Sequence, residues 1–493
     1  MSRGGQRQRS GALIAGPGGA GRGRVRAALG LAAILLLPAA CGRPPRNPAP
    51  ARHVIVISLD TTRADHCGFL GSTKGYTPQL DSLARESIVY TDYMTVVPTT
   101  LASHTSLFTG RYPHHHGTPR NGFMINGGNE MLPDLLHRAG FRTAGFAASF
   151  ALDARFGFAR GFDHYDQDFD LLVGEGGVDQ NQRRAREVTD AVLRYLDREG
   201  VPPRLFLFVH YFDPHAPYAA PPPFDHRYDP RGREGLATLN LLHAPSFLGP
   251  AEKDSLADRY ARQYAAEISY MDAEVGRLLG GLRQRRILDD ALLIVTSDHG
   301  ETLWDHPEEA FDHGLCVFQS TVRAVCLLRL PRGLHGGLRV SRLLANIDIL
   351  PTILRYLGLK MPAGVDGEPE DLTAPGTGPG ERLRFSQATK PWAEVETDPR
   401  WTNLRKARCV REGPFKFVQT PYLGTEALFD LSRDPEERDN LLAAPNAEIR
   451  SRATRLRRKL EAWAASAHPL PSRFEPSQRE ETIRRLRSLG YMK

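Results

Sequence analysis

Apolar positions recur along the chain with two periods, and the change from one to the other marks out the elements. Val54-Ile55-Val56-Ile57 lies inside the segment His53–Asp60, an almost continuous apolar run that ends in an acid. This is the pattern of a strand buried on both faces. Thr77-Pro78-Gln79-Leu80 then supplies an N-cap and a first-turn proline ahead of an apolar stripe at Leu80, Leu83 and Ala84. Further helices are predicted near 130–139, closed by Gly140, and near 183–199, closed by Gly200. Strands are predicted at 142–147, 205–210, 292–297 and 325–330, and a long amphipathic helix over roughly 258–285. A Gly-, Pro- and acid-rich stretch from Gly364 to Glu381 reads as a loop between subdomains. One or two strands follow around 407–420, then a basic helix near 447–465. Strands alternating with helices predict an α/β fold, a large mixed and mostly parallel sheet between helices, with a smaller C-terminal α+β subdomain.

A chain of 493 residues has room for one large catalytic domain and an appended unit. Its formal net charge of +7 comes mainly from the start, where Arg3, Arg7, Arg9, Arg22, Arg24 and Arg26 stand without an acid in the first forty residues. The remainder carries about +1, which gives no reason to expect a nucleic-acid partner. The basic start runs into a short apolar core, Ala27 to Ala40, and then Cys41. That order resembles a bacterial lipoprotein signal, and the core is short for a membrane-spanning helix. Residues 1–41 are therefore expected to be a signal sequence and 42–51 a Pro-rich tether. Residues 52–380 are expected to form the catalytic domain and 381–493 a C-terminal subdomain. The expected location is outside the cytoplasm, held to a membrane through a lipid on Cys41 and facing the periplasm or cell surface. The other cysteines, Cys67, Cys316, Cys326 and Cys409, are widely spaced, open either to disulfide pairing or to burial as small hydrophobes.

Two predicted strands end in acids. Asp60 follows Val-Ile-Ser-Leu, while Asp298 follows Leu-Ile-Val-Thr-Ser and precedes His299-Gly300-Glu301. Ligands of open α/β sheets bind beyond the carboxyl ends of the strands, so both acids fall at the rim where a site forms. Singly, each is an ordinary turn or cap residue; together with an imidazole they can hold a divalent cation. Between them, Thr100 opens a predicted helix that Gly110 ends. A hydroxyl at a helix N-terminus suits an anionic substrate, and His104 lies one turn on, on the same face.

Six segments, in order, resemble the sulfatase family of the alkaline phosphatase superfamily: Ile57–Asp65, Thr77–Asp81, Thr100–Arg111, His210–Tyr218, Ser297–Glu301 and Leu428–Pro435. The tail Leu489-Gly490-Tyr491 is similar to those of bacterial members. The resemblance spans residue 52 to the C-terminus and implies an alkaline-phosphatase-like fold. It also implies that Asp60, Asp298 and His299 ligate a metal, with Thr100 at the nucleophile position and beside that metal. His215 matches a histidine that contacts the transferred group or the leaving oxygen, and His313 stands where the family often has lysine. Asn121 and His210 are assigned to substrate binding. Familiar members carry Cys or Ser at the nucleophile position, with Pro two residues on and Arg four on, and oxidise it to formylglycine. Thr100, Ala102 and His104 occupy these places here. Threonine cannot give the aldehyde, so no formylglycine is expected. Thr61 replaces a second aspartate, which leaves calcium, manganese, zinc and magnesium all open.

The chemistry so implied is in-line displacement at sulfur or phosphorus by Thr100. Asn121, His104 and His215 would steady the transferred charge, and His313 or His215 would protonate the leaving oxygen. The expected partner is an anionic ester, a sulfated or phosphorylated small molecule, glycan or lipid head group. Two alternatives accompany this reading. One is a phosphoethanolamine-transferase-like phosphotransferase acting on envelope components. The other is a catalytically inactive surface lipoprotein that binds glycans or head groups.

Overall fold

The computed structural model describes residues 51–169, 172–173, 179–180, 182–236, 250–306, 311–376, 382–392, 401–474 and 480–488. The signal and nearly all of the tether expected over 1–51, and the tail 489–491, lie outside the described residues. The elements used here are strands β1 (His53–Leu59), β2 (Ile88–Tyr90), β3 (Arg142–Phe146), β4 (His164–Asp166), β5 (Leu205–Tyr211), β6 (Ala291–Ser297), β7 (Cys326–Arg329) and β8 (Arg339–Val340). They form one eight-stranded sheet in the order β8-β2-β7-β6-β1-β5-β3-β4. Every residue of β1, β5 and β6 is buried, which explains why these strands read as unbroken apolar runs.

β1 pairs in parallel with β5 and with β6, and the register aligns Leu59 with both Tyr211 and Ser297. Asp60 and Asp298 each follow these aligned positions, so parallel pairing delivers both acids to one level of the rim. β7 runs antiparallel to β6. The long connection through Asp298–Val325 contains only a short helix, Gln319–Val322, among the described residues. Without a crossover helix, the chain returns beside the strand it left.

Helices are α1 (Pro78–Ala84), α2 (Thr100–Thr109), α3 (Leu132–Arg138), α4 (Ala185–Glu199), α5 (Pro250–Gln284), α6 (Ile349–Leu357) and α7 (Ala447–Ala465). The long helix begins about a turn or two before its predicted start, opening with Pro250, because its first polar turns carry no apolar stripe. Among the described residues no helix is long and apolar enough to cross a membrane.

A second, antiparallel sheet runs β9 (Leu383–Gln387), β10 (Arg408–Glu412), β11 (Phe415–Thr420) and β12 (Thr425–Asp430). One face packs Val410, Phe417 and Leu428 against Leu456 and Leu460 of α7. Residues of the other, Cys409, Val418 and Phe429, join Val96, Val97 and Ala102. The C-terminal sheet thus backs the segment that carries Thr100. Cys67, Cys316, Cys326 and Cys409 are all buried free thiols, the second of the two fates their spacing left open.

Candidate active site

α2 is polar in sequence yet buried over all ten residues. Its hydroxyls are satisfied locally: Thr105 donates to Leu101 O and Thr109 to Thr105 O, each at 2.7 Å. Ser103 donates to Asp298 O at 2.8 Å, which ties the helix to the end of β6. Gly110 closes α2 with φ 65°, a conformation that needs glycine. Thr99 is the N-cap and Thr100 the first helical residue. The Thr100 side chain is fully buried, not at an exposed rim, and its hydroxyl is hydrogen-bonded to Asp60.

Asp60, Asp298 and His299 each offer one ligand atom, and those atoms lie within 4.8 Å of one another. The three side chains are buried, and Asp60 Oδ1, Asp298 Oδ2 and His299 Nε2 have no hydrogen-bond partner among the described residues. Burial raises the Asp298 carboxyl to about 6, and burial together with the charges of Asp298 and Glu301 pushes Asp60 well above its ordinary range. Two buried acids facing an unprotonated imidazole nitrogen form a donor set that fits a divalent cation, which would satisfy all three atoms at once.

The supporting bonds point the ligand atoms. His299 Nδ1 donates to Gly300 O at 2.9 Å, so Nε2 keeps its lone pair. Ala148 N–H donates to His210 Nδ1 at 3.3 Å, which leaves His210 Nε2–H to donate to Asp60 Oδ2 at 3.0 Å. Thr61 N–H donates to Asp298 Oδ1 at 3.1 Å from a backbone with φ 48°, unusual for a β-branched residue. Tyr264 of α5 holds that turn, donating to Thr61 O at 2.7 Å and accepting from Arg63 N–H at 3.0 Å.

Two expectations are corrected by this bonding. His210 is not a substrate contact, because both of its ring nitrogens are engaged inside the protein and it orients Asp60 instead. His104 does reach the site, but its Nδ1 donates to Thr100 O at 2.7 Å and its Nε2 accepts from Ser58 Oγ at 2.8 Å. With no donor left, it supports the first turn of α2 rather than steadying transferred charge. The other expected residues do converge. Asn121 Oδ1 accepts from Leu101 N–H at 2.7 Å, and its Nδ2, buried, finds no partner among the described residues. His215 is held through Nδ1 on Ala216 O at 2.7 Å. His313 has Nδ1 3.3 Å from Glu301 Oε1, and its ring centre lies 4.4 Å from that of His299 and 5.2 Å from that of His215. Burial lowers the pKa of His215, His299 and His313 to about 3, and raises that of Glu301 to about 7.

Other residues were not legible in the sequence. Arg120, Thr389, Lys390 and Trp392 share a cleft with Thr99, Asn121 and His313. Three of them arrive from the far end of the chain, next to β9, and no spacing pattern announces that. Arg120 has one visible signal, its place beside Asn121.

The family model described as Sulfatase matches residues 52–359, and one described as N-sulphoglucosamine sulphohydrolase, C-terminal, matches residues 308–465. An ulvan-active sulfatase of Formosa agariphila is 23% identical over 418 residues, covering 80% of this chain and 78% of that protein. An N-acetylglucosamine-6-O-sulfatase of Bacteroides thetaiotaomicron is 24% identical over 422 residues, covering 69% and 73%. In fold the chain resembles the phosphonate monoester hydrolase of Silicibacter pomeroyi, with a TM-score of 0.65, 21% identity, and 84% of this chain and 96% of that one covered.

Proposed function

Because the chain belongs to the sulfatase family and is an ester-bond hydrolase, we propose that it cleaves anionic sulfate or phosphorus esters by direct attack of the unmodified Thr100 hydroxyl. The observation that carries this reading is the Thr100 hydroxyl itself, buried at the start of α2 and bonded to Asp60 beside Asp298 and His299. Sulfatases of this family are metal dependent, and Asp60, Asp298 and His299 would hold the ion here. When bound, a divalent cation lowers the pKa of a neighbouring hydroxyl and neutralises charge on substrate oxygens.

The bond to Asp60 fixes the rotamer of Thr100, so that its oxygen meets the sulfur or phosphorus in line with the departing oxygen. Asn121 Nδ2 donates to an oxygen of the transferred group, a role its Oδ1 bond to Leu101 N–H prepares. As the bond from Thr100 Oγ forms, its hydroxyl proton passes to Asp60 and the ester bond breaks. The leaving oxygen takes the Nε2 proton of His313 while His313 Nδ1 accepts one from the Glu301 carboxyl. His313 Nε2 then takes a proton from water and Nδ1 returns its proton to Glu301, while the water oxygen attacks the ester and Thr100 Oγ leaves, recovering its proton from Asp60. An ester on Thr100 lacks the elimination route of a formylglycine hydrate and needs an activated water, and the likeness in fold to a phosphonate monoester hydrolase leads us to expect phosphodiesters or phosphonates to outpace aryl sulfates.

The test is a panel of aryl sulfate, phosphate monoester, diester and phosphonate substrates, with rapid quench of the turning-over enzyme. Phosphothreonine or sulfothreonine at position 100 is expected in the trapped protein. Thr100→Ala should lose at least a thousandfold in kcat while keeping its metal, Thr100→Ser should keep part of the rate, and Asp298→Asn should lose metal and rate together. Near-native turnover by Thr100→Ala on every ester would assign the attack to another group.

A further inference from the structure

A cleft of about 450 Å³ opens between the rim of the large sheet and the C-terminal sheet. Its lining joins Thr91 and Ser341, which follow β2 and β8, to Arg411 of β10 and Leu431 just beyond β12. That volume falls among those of small-molecule sites, about 300–1,000 Å³. The cleft shares no residue with the reacting centre around Thr100.

Three charged side chains line it, Asp92, Arg323 and Arg411. Arg411 clamps Asp92 with two bonds, Nη1 to Oδ1 at 2.6 Å and Nη2 to Oδ2 at 2.9 Å, so these two charges cancel. Both oxygens of Asp92 are taken, and among the described residues nothing pairs with the half-buried guanidinium of Arg323. The wall therefore keeps one uncompensated positive charge.

Gln319 supplies a second donor. The Arg323 N–H donates to Gln319 O at 3.0 Å, one helical turn back, so the two side chains share a face. Gln319 Oε1 lies 3.5 Å from Nζ of the fully buried Lys416, which leaves the amide nitrogen as the donor on offer. The backbone beneath them is pinned at both ends. Gln319 N–H donates to Glu437 Oε2, and Thr321 O accepts from Gly300 N–H at 2.8 Å. Leu343, Pro414, Leu431 and Pro435 give the rest of the cleft an apolar lining.

A guanidinium and an amide donor beside apolar surface match an oxyanion carried on a carbon skeleton. We propose that this cleft is a second binding site, separate from the reacting centre, in which Arg323 and Gln319 hold a carboxylate or sulfate and the apolar lining holds the group that bears it. The inference goes beyond the reading of Thr100 and does not rest on it.

Para-iodobenzoate tests the site, since its carboxylate suits Arg323, its ring suits the apolar lining and its iodine reports its position. Calorimetry on the metal-loaded enzyme should give a Kd below about 1 mM. Anomalous diffraction from soaked crystals should place iodine in this cleft. Arg323→Gln should weaken the binding about tenfold or more, Gln319→Leu about threefold, and Arg323→Lys should keep part of it. All three should turn over a small aryl ester like the wild type. Melting temperatures report folding, and if Arg323→Gln is unsettled, Arg323→Lys and Gln319→Leu decide. Iodine found only beside Thr100, binding at crystal concentration only, or folded variants that bind like the wild type would overturn the site. With the site shown, affinity for a polysulfated oligosaccharide identifies the source of the anion. A loss of about tenfold in Arg323→Gln marks a distant group of a large substrate, and no loss marks a free small anion.

Discussion

At the scale of single residues, the burial of neutral imidazoles shapes how this protein responds to acid. His114 sits with both ring nitrogens unpartnered among the described residues, stacked 5.6 Å from Tyr112 and edge-on 4.5 Å from Trp463. Burial, then the neighbouring His115 and His468, lowers its pKa to about 3. An unfolded histidine takes up its proton near pH 6.5, so between pH 6.5 and 3 the unfolded chain binds more protons than the folded one at this position. His114 therefore costs stability as pH falls through that window, by at most about 1.4 kcal/mol per pH unit. His114→Phe keeps the ring and removes the titration. Its melting temperature should drop less between pH 7 and pH 5 than that of the wild type. Parallel pH profiles for the two proteins would show that His114 does not titrate in this way.

Among elements, the long helix α5 holds the turn after β1 in a shape that the sequence of the turn does not favour. Thr61 takes φ 48°, which costs a β-branched residue on the order of 1–2 kcal/mol, and the Tyr264 hydroxyl bonds both sides of it. The Thr61 N–H in turn points Asp298. Tyr264→Phe should therefore lower stability by about 1–3 kcal/mol, and also weaken metal binding roughly tenfold through an element that supplies no ligand. Thermal melts and metal titration check the two halves separately. Reduced stability with unchanged metal affinity would make α5 a packing element only.

For the whole molecule, the C-terminal sheet covers the segment leading into α2, and the residues after its first strand bring Lys390 beside His313. The first fifty residues lie outside this body of described structure. Their Arg-rich start, apolar core and small residues before Cys41 lead us to propose export and acylation at Cys41, with the catalytic body tethered to a membrane outside the cytoplasm. Intact mass of the mature protein should show a chain that starts at a lipidated Cys41. A mature chain starting elsewhere, or an unmodified Cys41, would remove the anchor.

The run of apolar residues in His53–Leu59 and Ala291–Ser297 was enough to predict two buried strands, and their terminal acids marked the candidate metal site, because burial period and strand end are local properties. The same holds for Thr100, Gly110 and the helix between them, whose punctuation lies within eleven residues. What those side chains do was decided elsewhere in the chain. His104 and His210 look like active-site groups in sequence, yet Ser58, 46 residues from His104, and Asp60, 150 residues from His210, take up their nitrogens. Lys390 lies beside His313 only because a segment 78 residues beyond Asp312 folds back onto Gly314. A hydrogen-bonding capacity can be spent only once, and which partner claims it depends on contacts that tertiary structure alone brings together.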